Sequence, residues 1–201
     1  MNVRILGGKG ESKTVFLNAI GTLATIGILL IPAMSQSDTT ETEISQALSA
    51  SPASIAAHAS VIVFGDQGRR KELRAGTNGW TCVTRDLTLH EDGIAHHPAC
   101  FDKYGLEWIE NYFAGREPDP DRVGYSYMLQ GGSSWSNTDP KAAKLAAGQK
   151  DYIRMPPHIM ILSAKVANAS GFPSGQSDPN THQPFVMYGG TSFAILIIPV
   201  N

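Results

Sequence analysis

Three histidines fall within eight residues, His90, His96 and His97, with Glu91 and Asp92 beside the first. Imidazole and carboxylate oxygen are ligands that zinc and copper(II) accept, so this stretch is a candidate metal site. Its spacing matches no recognised zinc motif. A second candidate is His158, which opens the apolar run His-Ile-Met-Ile-Leu. In an extended strand Met160 shares a face with His158. A histidine and a thioether together suit copper, and the thioether favours Cu(I). The plainer alternative is a strand-end histidine bonded to a loop carbonyl, with Met160 filling the core. Ser134 or Ser136, His158 as general base and Asp139 as its orienting carboxylate would make a hydrolase triad. No Gly-x-Ser-x-Gly elbow accompanies them. Glu107 and Glu110 stand at helical i, i+3 spacing and read as a solvated face.

The segment from Gly131 to Pro140 mixes glycines, one tryptophan and short polar side chains. Trp135 could stack on a sugar or an aromatic ligand while Asn137 and Asp139 hydrogen-bond it. The alternative is an Asx-turn network that only fixes the loop. Asn78 and Trp80 offer a similar pair. The expected ligand surface therefore combines Asn78, Trp80, Trp135, Asn137, Asp139 and His158. Nucleotide binding has no support, because no phosphate-cradling Gly-x-x-x-x-Gly-Lys motif is present. No cofactor is predicted beyond the zinc or copper that the histidine readings would take.

The elements that must position these residues lie downstream of a distinctive N-terminus. Arg4, Lys9 and Lys13 precede an apolar run from Val15 to Ala33, and Ala33-Met34-Ser35 supplies small residues for cleavage after Ser35. A basic head, an apolar stretch and a small-residue exit read as a signal peptide over residues 1–35. An uncleaved run would instead anchor the chain, since its length approaches the roughly 20 residues a membrane helix needs. Cleavage removes three basic side chains and Glu11, moving the formal charge from −2 to −4. A mildly acidic protein in the periplasm or outside the cell is then expected. Its partner would be a small ligand or an envelope component, not nucleic acid and not a membrane. In an oxidising compartment the only two cysteines, Cys82 and Cys100, are expected to pair.

Residues 36–43 read as a flexible lead-in and 44–201 as one domain. Thr42 to His58 is helical in pattern and divided at Pro52. Ala59–Phe64 and Lys71–Ala75 read as a hairpin about Gly65–Gly68. The polar span Arg85–Ala99 reads as a loop. Phe101–Gly115 carries the strongest helix signal, with Asp102 as N-cap and Leu106, Ile109, Tyr112 and Phe113 in one stripe. Val123–Leu129, His158–Ser163, Pro184–Tyr188 and Phe193–Pro199 read as strands, Gly131–Gln149 as a long irregular segment, and Lys165–Ser170 as a helical turn. About six strands and two or three helices at hairpin spacing define an α+β domain with a largely antiparallel sheet and one disulfide.

Four strings taken together, GTNGWTC at 76–82, LQGGSSWSNTDP at 129–140, PHIMIL at 157–162 and PFVMYGGTSF at 184–193, resemble a group of small exported bacterial proteins of unassigned function. The resemblance extends over residues 44–200. It implies export, a single domain and the cysteine pair, and it brings no catalytic residue. The group is Pro- and Asp-rich between the cysteines, where this chain holds His90, His96 and His97. The resemblance therefore implies that those histidines are not the shared function. The leading expectation is an exported binding or accessory module. An extracytoplasmic hydrolase using His158 and Asp139, or a periplasmic metal-handling protein, are the alternatives.

Overall fold

Asp102 opens an 11-residue helix that packs on the sheet. Its carboxylate accepts from the backbone N–H of Gly105 at 2.7 Å and also from that of Tyr125 at 2.9 Å. One side chain thus caps helix α3 (Lys103–Phe113) and ties it to strand β5 (Gly124–Met128). The two backbones meet with no side chain between them. A Cβ on Gly124 would lie 2.3 Å from the nitrogen of Gly105, and one on Gly105 would lie 2.6 Å from the carbonyl oxygen of Tyr125. Two glycines are required here by close approach.

The computed structural model describes residues 36–64, 70–85 and 97–200. The remaining elements are α1 (Gln36–Leu48), α2 (Ala53–Ala56), α4 (Ala164–Ala169), β1 (Ser60–Phe64), β2 (Arg70–Arg74), β3 (Thr81–Arg85), β4 (Ala99–Phe101), β6 (Gly132–Ser134), β7 (Ile153–Met155), β8 (His158–Leu162), β9 (Phe185–Met187) and β10 (Ile195–Pro199). Eight strands form one sheet in the order β2-β1-β3-β4-β5-β8-β10-β9, and β6 and β7 form a separate antiparallel ribbon. Every pair in the large sheet is antiparallel except β1 with β3. That exception follows from the hairpin. β2 folds back along the outer edge of β1, and the chain then crosses to the other edge of β1 to enter β3 in its original direction.

The period of two sorts the strands' side chains onto two faces. On one face Ile62, Val83, Phe101, Met160, Leu162, Phe185 and Ile197 form the main core with Trp108 of α3. On the other face Ala47 of α1 and Ala50, just after that helix, are buried with Val61 and the two cysteines, and α4 buries Ala167 against Val186 and Leu196. Cys82 and Cys100 are joined and stand directly opposite each other in the β3–β4 register. The domain is α+β, single and compact, with one disulfide, as expected.

Several elements differ from the sequence reading. Four helices and ten strands stand among the described residues, against the two or three and about six expected. The stretch 36–43 is helical as the beginning of α1, where a flexible lead-in was expected. β3 covers Thr81–Arg85, where no strand was expected, β4 begins at Ala99, the end of the expected loop, and the irregular segment from Gly131 contains strand β6. Three of the unforeseen strands have only three residues, too few to show an alternation, and exist because a partner strand satisfies their backbone. The expected signal peptide or anchor (1–35) and two of the candidate metal ligands, His90 and His96, lie outside the described residues. Among the described residues no helix is long and apolar enough to cross a membrane.

Candidate functional site

Between the α3 face of the sheet, α3 itself and the β6–β7 ribbon lies a cavity of about 360 Å³. Small-molecule sites usually begin near this size. The sheet supplies Val83, Met128, His158, Met160 and Ile197 as its floor, α3 supplies Trp108, Ile109 and Tyr112, and the ribbon supplies Ser134 and Met155. Half-buried Trp135 and Ala142 and exposed Phe113 mark where the cavity reaches the surface. None of the described residues lining it is Asp, Glu, Lys or Arg. The described lining is mainly apolar, with hydroxyl and imidazole groups as its polar members.

One group stands apart in that interior. His158 is fully buried, and its Nδ1 lies 2.7 Å from the carbonyl oxygen of Pro156. A carbonyl only accepts, so Nδ1 carries the hydrogen and donates it. Burial pushes the ring's pKa below the ordinary value near 6.5, and the Pro156 bond only partly opposes that. The ring is therefore neutral, and the lone pair sits on Nε2. That nitrogen is buried without a protein partner. A buried acceptor left unpaired costs about 1–3 kcal/mol. The neighbouring strand places Met128 directly opposite His158, and β8 places Met160 on the same face.

The polar rim is a chain of hydroxyls. Ser134 Oγ donates to the carbonyl of Ser136 at 2.9 Å, which leaves the phenol of Tyr188 to donate to Ser134 Oγ at 2.9 Å. Tyr188 holds its backbone at φ 57°, a left-handed conformation. Its amide donates to the carbonyl of Asn137 at 2.7 Å, which fixes the turn. Burial drives the Tyr188 phenol far above the ordinary tyrosine range. In the roof Trp108 stacks on Tyr112 at 5.6 Å, and its indole N–H is buried without a hydrogen-bond partner.

The residues read from sequence do not converge on one surface. His158 and Trp135 line the cavity, and so does buried His97. Asn137 is buried nearby but is used structurally, its side-chain amide donating to the carbonyl of Gln176 at 2.8 Å. Asp139 is exposed, and its carboxylate accepts from the backbone of Lys141 at 2.8 Å. The Ser-His-Asp arrangement is therefore not formed: the Nδ1 that an orienting carboxylate would hold is occupied by Pro156. Ser136 Oγ accepts from the amides of Thr138 and Asp139, so the 134–141 segment is held by turn bonds. Asn78 and Trp80 belong to the opposite face of the sheet. Asn78 donates to the carbonyl of Ile55 and accepts from the Trp80 amide, while Trp80 packs on Tyr127 and the disulfide cluster. The expected six-residue ligand surface is divided by the sheet.

Sequence reasoning did not select Met128, Met155, Trp108 or Tyr188. Met128 had a usable signal, the alternation of Gly-Tyr-Ser-Tyr-Met, but nothing local pairs that strand with the one His158 opens. Among the described residues no group of three or more His, Cys, Asp or Glu is gathered as a metal site. No family model, curated protein or solved structure matches the chain.

Proposed function

We propose that this protein is an exported binding module whose ligand enters the cavity beneath α3 and is anchored on the lone pair of His158 Nε2. Export rests on the basic head and apolar run of residues 1–35, and the disulfide is compatible with it. The observation that carries the binding reading is the buried, unpartnered Nε2 in a cavity of about 360 Å³ whose described lining holds no Asp, Glu, Lys or Arg. A ligand that satisfies this acceptor recovers the desolvation cost of leaving it bare. The apolar walls supply the rest through burial.

The test is titration with N-phenyl-1-naphthylamine, a neutral fluorescent probe with apolar rings and one N–H donor. The folded protein should enhance its fluorescence saturably. His158→Leu should bind it about tenfold more weakly, the equivalent of one hydrogen bond. Exclusion of the probe from the native protein, or equal affinity in the variant, would overturn the reading.

A further inference from the structure

We infer that the physiological ligand of this cavity is a monovalent soft metal ion, Cu(I), bound by Nε2 of His158 and the thioether sulfur of Met128, with the sulfurs of Met155 and Met160 beside them. This deepens the reading above and rests on it. The first observation is where the methionines are. The chain has six, and all four that follow residue 35, namely Met128, Met155, Met160 and Met187, line this one cavity. Methionine is a flexible core filler, and one or two in a core would need no further account. Here all four thioethers line the cavity that holds His158, whose Nε2 is buried without a hydrogen-bond partner.

The second observation is local geometry. Met128 and His158 are directly paired across β5 and β8, and both side chains abut Gly132. A Cβ built on Gly132 would lie 2.9 Å from the Met128 methyl carbon, 3.9 Å from its sulfur and 3.9 Å from His158 Cε1. Gly132 in turn pairs with Met155 across the ribbon. The glycine leaves room where the imidazole of His158 and the thioether of Met128 come together.

The chemistry of the donors selects the ion. Imidazole and thioether are neutral, and the thioether is a soft ligand that prefers Cu(I). The cavity offers no carboxylate among its described lining residues to offset a second positive charge. Burial cost rises with the square of the charge, so a monovalent ion is tolerated where zinc is not. The Nδ1–H bond to Pro156 fixes the ring with Nε2 presented, the outer-sphere support that metal-binding histidines use.

The experiment is anaerobic titration of the native protein with Cu(I), ascorbate as reductant, in competition with bicinchoninate. Ag(I) serves as a redox-silent substitute. One equivalent should be withdrawn from the chelator. His158→Leu and the volume-conserving Met128→Leu should each weaken binding more than about tenfold. His182→Ala, on an exposed loop, should leave it unchanged. Met128→Leu keeps the test decisive if His158→Leu unfolds. Absence of Cu(I) and Ag(I) uptake, or uptake indifferent to both cavity substitutions, would overturn the inference. If the metals fail while the naphthylamine probe still binds through His158, only the metal assignment falls. If neither binds, the cavity reading falls with it.

Discussion

Replacing Gly124 with alanine puts a methyl group into the joint between β5 and α3. Its carbon would lie 2.3 Å from the Gly105 nitrogen and 2.5 Å from the Gly105 Cα. Ordinary contact is roughly 3.5 Å, so the helix must move outward by about 1 Å. Overpacking of this kind costs about 1–3 kcal/mol. The movement also stretches the two bonds of the Asp102 carboxylate to Gly105 and Tyr125, whose loss as a cap is worth about 1 kcal/mol. Against this, alanine relieves up to about 1 kcal/mol of glycine's entropic cost. The net expectation is a loss of about 2–3 kcal/mol, or a fall in Tm of about 5–10 °C for a chain of this size. Gly105→Ala sharpens the test, because inside a helix alanine should by propensity stabilise by about 1 kcal/mol. Here its methyl meets the Tyr125 carbonyl at 2.6 Å, and net destabilisation is expected. Urea unfolding followed by far-ultraviolet circular dichroism, with the disulfide intact, measures both. A Gly105→Ala protein as stable as the native one, or more so, would refute the close-packed joint. Because α3 carries Trp108 and Tyr112 onto the cavity, both variants should also bind the naphthylamine probe more weakly than the native protein.

Further outcomes follow from the same contacts. Removing the disulfide with Cys82→Ala and Cys100→Ala together should cost about 3 kcal/mol in the chain-entropy account, and a reductant should lower the native Tm but not that of the double variant. The folded pKa of His158 is depressed, so below about pH 6.5 the unfolded chain takes up a proton there that the folded one resists. Stability should therefore fall on acidification, and metal-free native protein should lose more stability than His158→Leu between about pH 7.5 and about pH 5. Equal losses would show that the ring is not buried neutral. The Tyr188 phenol is displaced upward, so stability is lost as pH rises past the ordinary tyrosine value near 10. Absorbance at 295 nm (the phenolate band) should show the Tyr188 phenol ionising only as the protein unfolds in alkali, and Tyr188→Phe should reduce the absorbance change that accompanies unfolding. The same variant loses the bond to Ser134 and should be about 1 kcal/mol less stable in urea at neutral pH.

Local pattern was enough for much of the scaffold. The alternation or apolar density of 60–64, 124–128, 158–162 and 195–199 marked four central or near-central strands. Asp102 followed by a stripe of apolar residues marked α3 and its cap. With only two cysteines, the pairing had a single solution once export was expected. The strand and helix signals are each written within a short local stretch of chain. The site is not written that way. Periodicity says that His158 and Met160 share a face, but the neighbour of that face depends on which strands pair. The pairings β5–β8 and β8–β10 bring together positions at least thirty residues apart. Only that register sets Met128 beside His158, and only the sheet's passage between them puts Trp80 with the disulfide while Trp135 joins the cavity. The short strands β4, β6 and β7 carry the same lesson, since three residues hold no period and the hydrogen bonds of a distant partner define them. The amino-acid sequence determined the class of domain, its caps and its covalent staple. The tertiary structure decided which polar groups lost their water, and left His158 Nε2 buried without a hydrogen-bond partner in a cavity that four methionines help to line.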